Sequence, residues 1–388
     1  MGVKIKKIAI ILLLVLSFIT LCGSKTNVKA DELSDNVKEQ LSNIDFKELE
    51  EYFNNLNING EGESFFEVVS KITNGEYNTN YSSIFDYVFK SILLKLKNIL
   101  PLFAGVIIIA LLHKIFSSIK SSTHAEEINK VISFLTILTV SAFLITGFKE
   151  IFETTENVIK NLAKLSDITS PIILTLMTVS GANVSVSLYK PAVVFFSNGI
   201  VNVILYVVLP LIALSIIFFV IGKFSSEIKL DKFTEVINGI IKWVIGISVT
   251  IFTIFLSIQG LGAATHDGIS LKAVKYAISN SIPVVGGFLK DGFDLMVAGS
   301  ILIKNAVGVG VIFMLLHTIS TPILFMIAFS IGLKIVSSVS GICLDFGVSD
   351  ICDKFSKGTN YMIATLLLVG FMIFITFLLM IISANAFI

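Results

Sequence analysis

The sequence predicts an all-α polytopic membrane protein: a helical bundle with an internal duplication and a small helical extracytoplasmic N-terminal segment. Three observations predict it. Of 388 residues, 54% are hydrophobic and only 15% charged, with 32 Phe and a mean hydropathy of +0.89. That leaves too little polar surface to cover a globule in water. The apolar residues fall into successive runs near the length of a membrane crossing. Ordered landmarks also recur at an offset of about 112 positions. Lys130-Val131-Ile132 returns as Lys242-Trp243-Val244-Ile245, Gly147 as Gly260, and Ser170-Pro171 as Ser281-Ile282-Pro283. Lys190-Pro191-Ala192-Val193 returns as Lys304-Asn305-Ala306-Val307, Pro210 as Pro322, and Asp231-Lys232-Phe233 as Asp353-Lys354-Phe355. The repeat units are thus about 130–233 and 242–355, and duplicated apolar halves are a common build of transporters and channels.

The first element is an address signal. Lys4, Lys6 and Lys7 precede an apolar run from Ile8 to Leu21, and Val28-Lys29-Ala30 has the small-residue spacing of a cleavage site. Residues 1–30 therefore read as a signal peptide, with an uncleaved anchor as the alternative. Leu21 is too bulky for a lipobox before Cys22.

Residues 31–97 form an extracytoplasmic helical segment with thirteen Asp or Glu against six Lys. Leu33, Val37, Leu41, Ile44, Leu49, Tyr52, Phe53 and Leu56 recur every three to four positions among acids, which describes one apolar stripe on a helix. Its later part, Leu49, Tyr52, Phe53 and Leu56, is the candidate packing face. Further helical periods run over Phe65–Ile72 and Ile84–Leu96. A segment this short has a small core of its own, so the face is expected to pack on the membrane part or on a partner.

The polytopic membrane domain, residues 98–388, contains apolar stretches beginning at Ile99, Val131, Ile168, Pro191, Pro210, Trp243, Ile282, Asn305 and Pro322, with a final helix at 361–382. Eight to ten spans are expected. The stretches at Ile168 and Ile282 are weak enough to be broken or re-entrant, and as repeat equivalents they should behave alike. With four crossings per repeat, Lys114, Lys190, Lys223, Lys232, Lys304, Lys354 and Lys357 share the cytoplasmic side, while Lys149, Lys160 and Lys164 face out; three crossings would invert the repeats.

Chemical motifs are absent from the sequence. Gly222-Lys223-Phe224-Ser225 lacks the residues of a phosphate-binding loop, and no nucleophile elbow, zinc helix or paired C-x-x-C exists. The histidines at 113, 124, 266 and 317 are scattered, and Cys343 and Cys352 read as reduced thiols. No enzyme activity, metal or cofactor is expected, and a net charge of +1 gives no electrostatic case for nucleic acid. One polar cluster stands out in an apolar setting. Lys290, Asp291 and Asp294 share a helix face by their spacing, and form either a polar lining at the repeat interface or an interfacial loop.

The order of several segments resembles the stage III sporulation protein AE family of endospore-forming bacteria. They are Glu50-Glu51-Tyr52-Phe53-Asn54-Asn55-Leu56, Ser64-Phe65-Phe66-Glu67, Ser257-Ile258-Gln259-Gly260, Asp267-Gly268-Ile269-Ser270-Leu271-Lys272, Ile282-Pro283-Val284-Val285-Gly286 and Lys304-Asn305-Ala306-Val307-Gly308. The resemblance implies a multi-pass cell-membrane protein in the mother-cell membrane around the forespore, with its N-terminal segment extracytoplasmic. It implies a permease-like part of a channel complex needed for late forespore development, acting with the other stage III A-operon proteins and the forespore partner Q. The alternative drawn from the residues themselves is an autonomous secondary transporter of a small solute.

Overall fold

The computed structural model describes residues 44–56, 64–73, 81–117, 125–224, 230–259, 267, 272–277, 286–342 and 346–383. The signal peptide, Cys22, the stripe residues Leu33, Val37 and Leu41, His124, Gly260, His266, Pro283 and Cys343 lie outside them. Two short helices, α1 (Lys47–Asn55) and α2 (Phe65–Thr73), precede six long ones. These are α3 (Tyr81–Ser117), α4 (Ala125–Val179), α5 (Asn183–Phe224), α6 (Asp231–Gln259), α7 (Gly286–Ile342) and α8 (Phe346–Ser383). Each of the six carries a stretch long and apolar enough to cross a membrane. The chain is a multi-pass membrane protein.

Local sequence explains the short helices. Ser64 and Glu67 form a reciprocal capping box: the Glu67 N–H donates to Ser64 Oγ at 3.1 Å and the Ser64 N–H to Glu67 Oε2 at 3.1 Å. The Glu50 carboxylate of α1 accepts from the N–H groups of Phe65 and Phe66 at 2.9 and 3.3 Å, so α1 also caps α2. This gives a physical reason for two of the acids in the segments that carry the resemblance.

The long helices merge stretches that hydropathy separates. The stretches at Val131 and Ile168 lie in the 55-residue α4, and those at Ile282, Asn305 and Pro322 lie in or enter the 57-residue α7. At 1.5 Å per residue each of these helices is roughly 80 Å long, well beyond a hydrocarbon core of about 30 Å. The prolines that open expected stretches sit inside helices, Pro191 and Pro210 in α5 and Pro322 in α7, and Pro171 lies inside α4. A helix in a bundle absorbs the missing proline N–H by local adjustment. In α5 the adjustment is visible as two π-helical segments, Phe195–Ile200 and Ile204–Val208, between its two prolines.

The stretch at Ile168 is indeed broken, because α4 ends and α5 begins around Gly181. The chain reverses there on a φ of 86°, with the Ala182 N–H donating to the Met177 carbonyl at 2.9 Å. Its expected counterpart behaves differently: residues 286–303 are continuous helix. At the 112-residue offset this reversal falls inside α7, so the two segments turn at different places. Another correspondence emerges instead. Both α4 and α7 close on Val-Ser-Gly, at Val179-Ser180-Gly181 and Val339-Ser340-Gly341. Each is then tied to the helix that follows it by a serine pair, Ser166 with Ser197 at 2.5 Å and Ser330 with Ser356 at 2.9 Å.

The centre of the bundle is α4, α7 and α8, with α3 against α4 and α7, and α5 against α4 and α8. Glycines set the closest approaches. A Cβ on Gly332 would overlap the Phe103 ring of α3, one on Gly358 would overlap Ile216 of α5, and one on Gly370 would overlap Ile319 of α7. α6 packs mainly on α5, where Phe196 stacks edge-on with Phe252 and Phe255 at 5.1 and 4.7 Å between centroids.

Candidate functional site

The candidate packing face lies against the membrane helices. Leu49, Tyr52 and Phe53 are buried, and Leu56 is partly buried on the same core. The Tyr52 hydroxyl is 3.4 Å from Thr318 Oγ1, and His317 hydrogen-bonds the backbone of Leu56. Phe53 packs on Phe65 at 5.6 Å between centroids, and Phe65 lies against Gly310, where a Cβ would come within 2.8 Å of its ring. Helices α1 and α2 thus seat on the α7 surface from Gly310 to Thr318. Burial raises the Tyr52 phenol above its ordinary value, the Thr318 contact opposing the shift.

The cluster at the start of α7 is spread over its exposed side. Lys290 and Asp291 are exposed, and Asp294 is half-buried in an ion pair of 2.6 Å with Lys275. The structure gives Asp294 a partner from residues 272–277, which spacing within α7 alone could not supply. Among the described residues no group of His, Cys, Asp or Glu could hold a metal ion.

Two buried charges elsewhere are more demanding. Lys304 is wholly buried and donates from Nζ to the Ile381 carbonyl at 2.6 Å. Ile381 belongs to the last turn of α8, where carbonyls have no intrahelical partner and the helix dipole is negative, so the ammonium is neutralised by a helix end. Gly308, one turn after Lys304, makes room for the Ile381 side chain. Asp267 is equally buried and faces the opposite kind of terminus. It accepts from the N–H groups of Val184 and Ser185 at 2.7 and 3.1 Å and from Ser185 Oγ, at the start of α5. Tyr189, one turn further along α5, is buried and hydrogen-bonded to Ser383. Helices α5, α7 and α8 therefore meet in a polar node built from charges set on helix ends, an arrangement that offsets the cost of burying them.

By sequence alone Lys304 is a repeat landmark and one of the cytoplasmic lysines with Lys223 and Lys354. The structure corrects that grouping. Lys304 binds the C-terminal end of α8, whereas Lys354 lies near its N-terminal end, donating to Ser215 at 2.9 Å, and Lys223 pairs with Asp350 at 2.7 Å. Some forty ångströms of helix, at about 1.5 Å per residue, separate the two ends. A lone lysine inside the uncharged run from Leu295 to Ser330 was the available signal.

A family described as Stage III sporulation protein AE (spore_III_AE) matches residues 64–384. The Stage III sporulation protein AE of Bacillus subtilis (strain 168) is 24% identical over 303 residues, covering 78% of this chain and 75% of that protein. No solved structure matches.

Proposed function

We propose that this chain, which belongs to the stage III sporulation protein AE family, is a permease-like membrane component of a mother cell–forespore channel complex needed for late forespore development. In this reading it sits in the mother-cell membrane with its N-terminal segment extracytoplasmic, and works with the other stage III A-operon proteins and the forespore partner Q rather than as an enzyme. The observation that carries the reading is the seating of α1 and α2 on α7 through Tyr52, Phe53 and Phe65. It couples a segment available to outside partners to a helix long enough to run through and beyond a bilayer. Membrane-wide crosslinking in engulfed cells tests the assembly. Crosslinks from the outer segment to other channel proteins support it, and a protein that captures none of them overturns it.

The second reading is an autonomous secondary transporter of a small solute, favoured by the buried charges Lys304 and Asp267 at helix ends, the kind of site on which such transporters rely. Purified chain in liposomes separates the two. Movement of a defined solute without partners supports the transporter. Under the channel reading the chain alone is silent, and neutralising Lys290, Asp291 and Asp294 leaves assembly intact while impairing passage of material.

A further inference from the structure

A groove of about 400 Å³ runs between α4 and α5 below their connecting turn, lined among others by Asp167, Pro171, Thr175, Val186, Lys190 and Val194. It contains one acid and one base, and neither forms an ion pair among the described residues. Two opposite charges that face one cavity without meeting are matched by a molecule that carries both. The groove adds a further acceptor. Pro171 has no N–H to give the Asp167 carbonyl one turn before it, so that oxygen is left for another donor. The hydroxyl of Thr175 is already committed to the Pro171 carbonyl at 2.8 Å.

The position of the pair points to the occupant. No charged residue occurs between Asp167 and Lys190, and none between Lys190 and Lys223. Asp167 therefore stands at one end of a long uncharged run and Lys190 is the one charge inside it, next to Tyr189, which bonds Ser383 at the C-terminal end of α8; a lysine there extends its ammonium to headgroup level. Beside the groove, α5 turns an apolar strip outward at Val184, Leu188 and Phe195, next to the exposed Val194 at the groove rim. Such a strip takes acyl chains.

We propose that this groove binds a phospholipid of the phosphatidylethanolamine class, with its phosphate on Lys190, its primary ammonium on the carboxylate and carbonyl of Asp167, and its acyl chains along α5. A primary ammonium has N–H donors for these acceptors. A choline headgroup has none, so the groove distinguishes the two lipids.

Native mass spectrometry of the full chain, released from nanodiscs of equal parts dioleoyl phosphatidylethanolamine, phosphatidylcholine and phosphatidylglycerol, tests this. The wild type should retain the ethanolamine lipid over the choline lipid by about tenfold, the size of one charge-assisted hydrogen bond. Asp167→Asn should abolish that preference, Lys190→Gln should lower retention of all three lipids, and Lys160→Gln, outside the groove, should change nothing. If Asp167→Asn does not fold, Val194→Trp fills the groove from its exposed rim and should remove the same preference. Equal retention of ethanolamine and choline lipids by the wild type, or an unchanged preference in both groove variants, overturns the proposal. Displacement of the lipid by O-phosphoethanolamine, which has the headgroup charges and no acyl chains, overturns it in favour of a small zwitterionic solute.

Discussion

The Tyr52 hydroxyl and the Thr318 hydroxyl, 266 positions apart, meet at 3.4 Å inside the contact between α1 and α7. That one contact ties a short acidic helix with little core of its own to the longest helix of the membrane part.

Replacing Tyr52 and Phe53 together by Asp puts two charges where both side chains are buried, at a cost of several kcal/mol unless the segment lifts away. In an endospore former, engulfment and membrane insertion should proceed and late forespore development should fail. Normal spore counts at normal protein levels would remove the assembly role of this face.

Alkaline pH should release the same segment. The Tyr52 phenol is held above its ordinary value of 10.0 by burial, so the folded state disfavours the phenolate. Docking is fully stable below that value and weakens as pH rises past it towards the raised one. Hydrogen exchange of α1 followed across this range should show earlier release in the wild type than in Tyr52→Phe, which has no proton to lose.

Gly310 is the seat of Phe65. A Cβ there would lie 2.8 Å from the Phe65 ring, so Gly310→Val should displace α2 at a cost of about 1–3 kcal/mol. Phe65→Ala in the same chain should restore protease resistance of α1 and α2. Failure of that rescue would show that Gly310 is needed inside α7 rather than under α2.

The buried lysine separates volume from charge. Lys304→Ala removes the side chain that fills the space beside Ile381 and should destabilise the purified protein by about 2–5 kcal/mol. Lys304→Met keeps most of the volume and leaves a carbonyl at a helix end, so it should cost clearly less. Equal loss from both, read by thermal unfolding in detergent, would mean that the ammonium itself holds the end of α8.

Asp267 should behave as a helix cap supplied from a distance. Asp267→Ala orphans the N–H groups of Val184 and Ser185 and should cost at least about 1–2 kcal/mol. Protection of the first turn of α5 in hydrogen exchange should fall, with the middle of α5 unchanged.

Sequence by itself determined the solvent and the class of this protein. Free energy of transfer is a property of local composition, so apolar runs declare lipid-embedded helices, and three-to-four spacing declares the stripe of Leu49, Tyr52 and Phe53 wherever it docks. Tertiary structure decided what local composition does not encode. Pro191, Pro210 and Pro322 read as the starts of separate stretches, and a proline lacks one N–H, yet neighbouring helices let α5 and α7 run through them, as α4 runs through Pro171. The reversal at Gly181 takes a positive φ that glycine permits and that no periodicity reveals. The partner of Lys304 is a backbone carbonyl 77 positions away, and that of Asp267 a helix start 83 positions earlier. Such pairings exist only after helix ends have been brought together by packing.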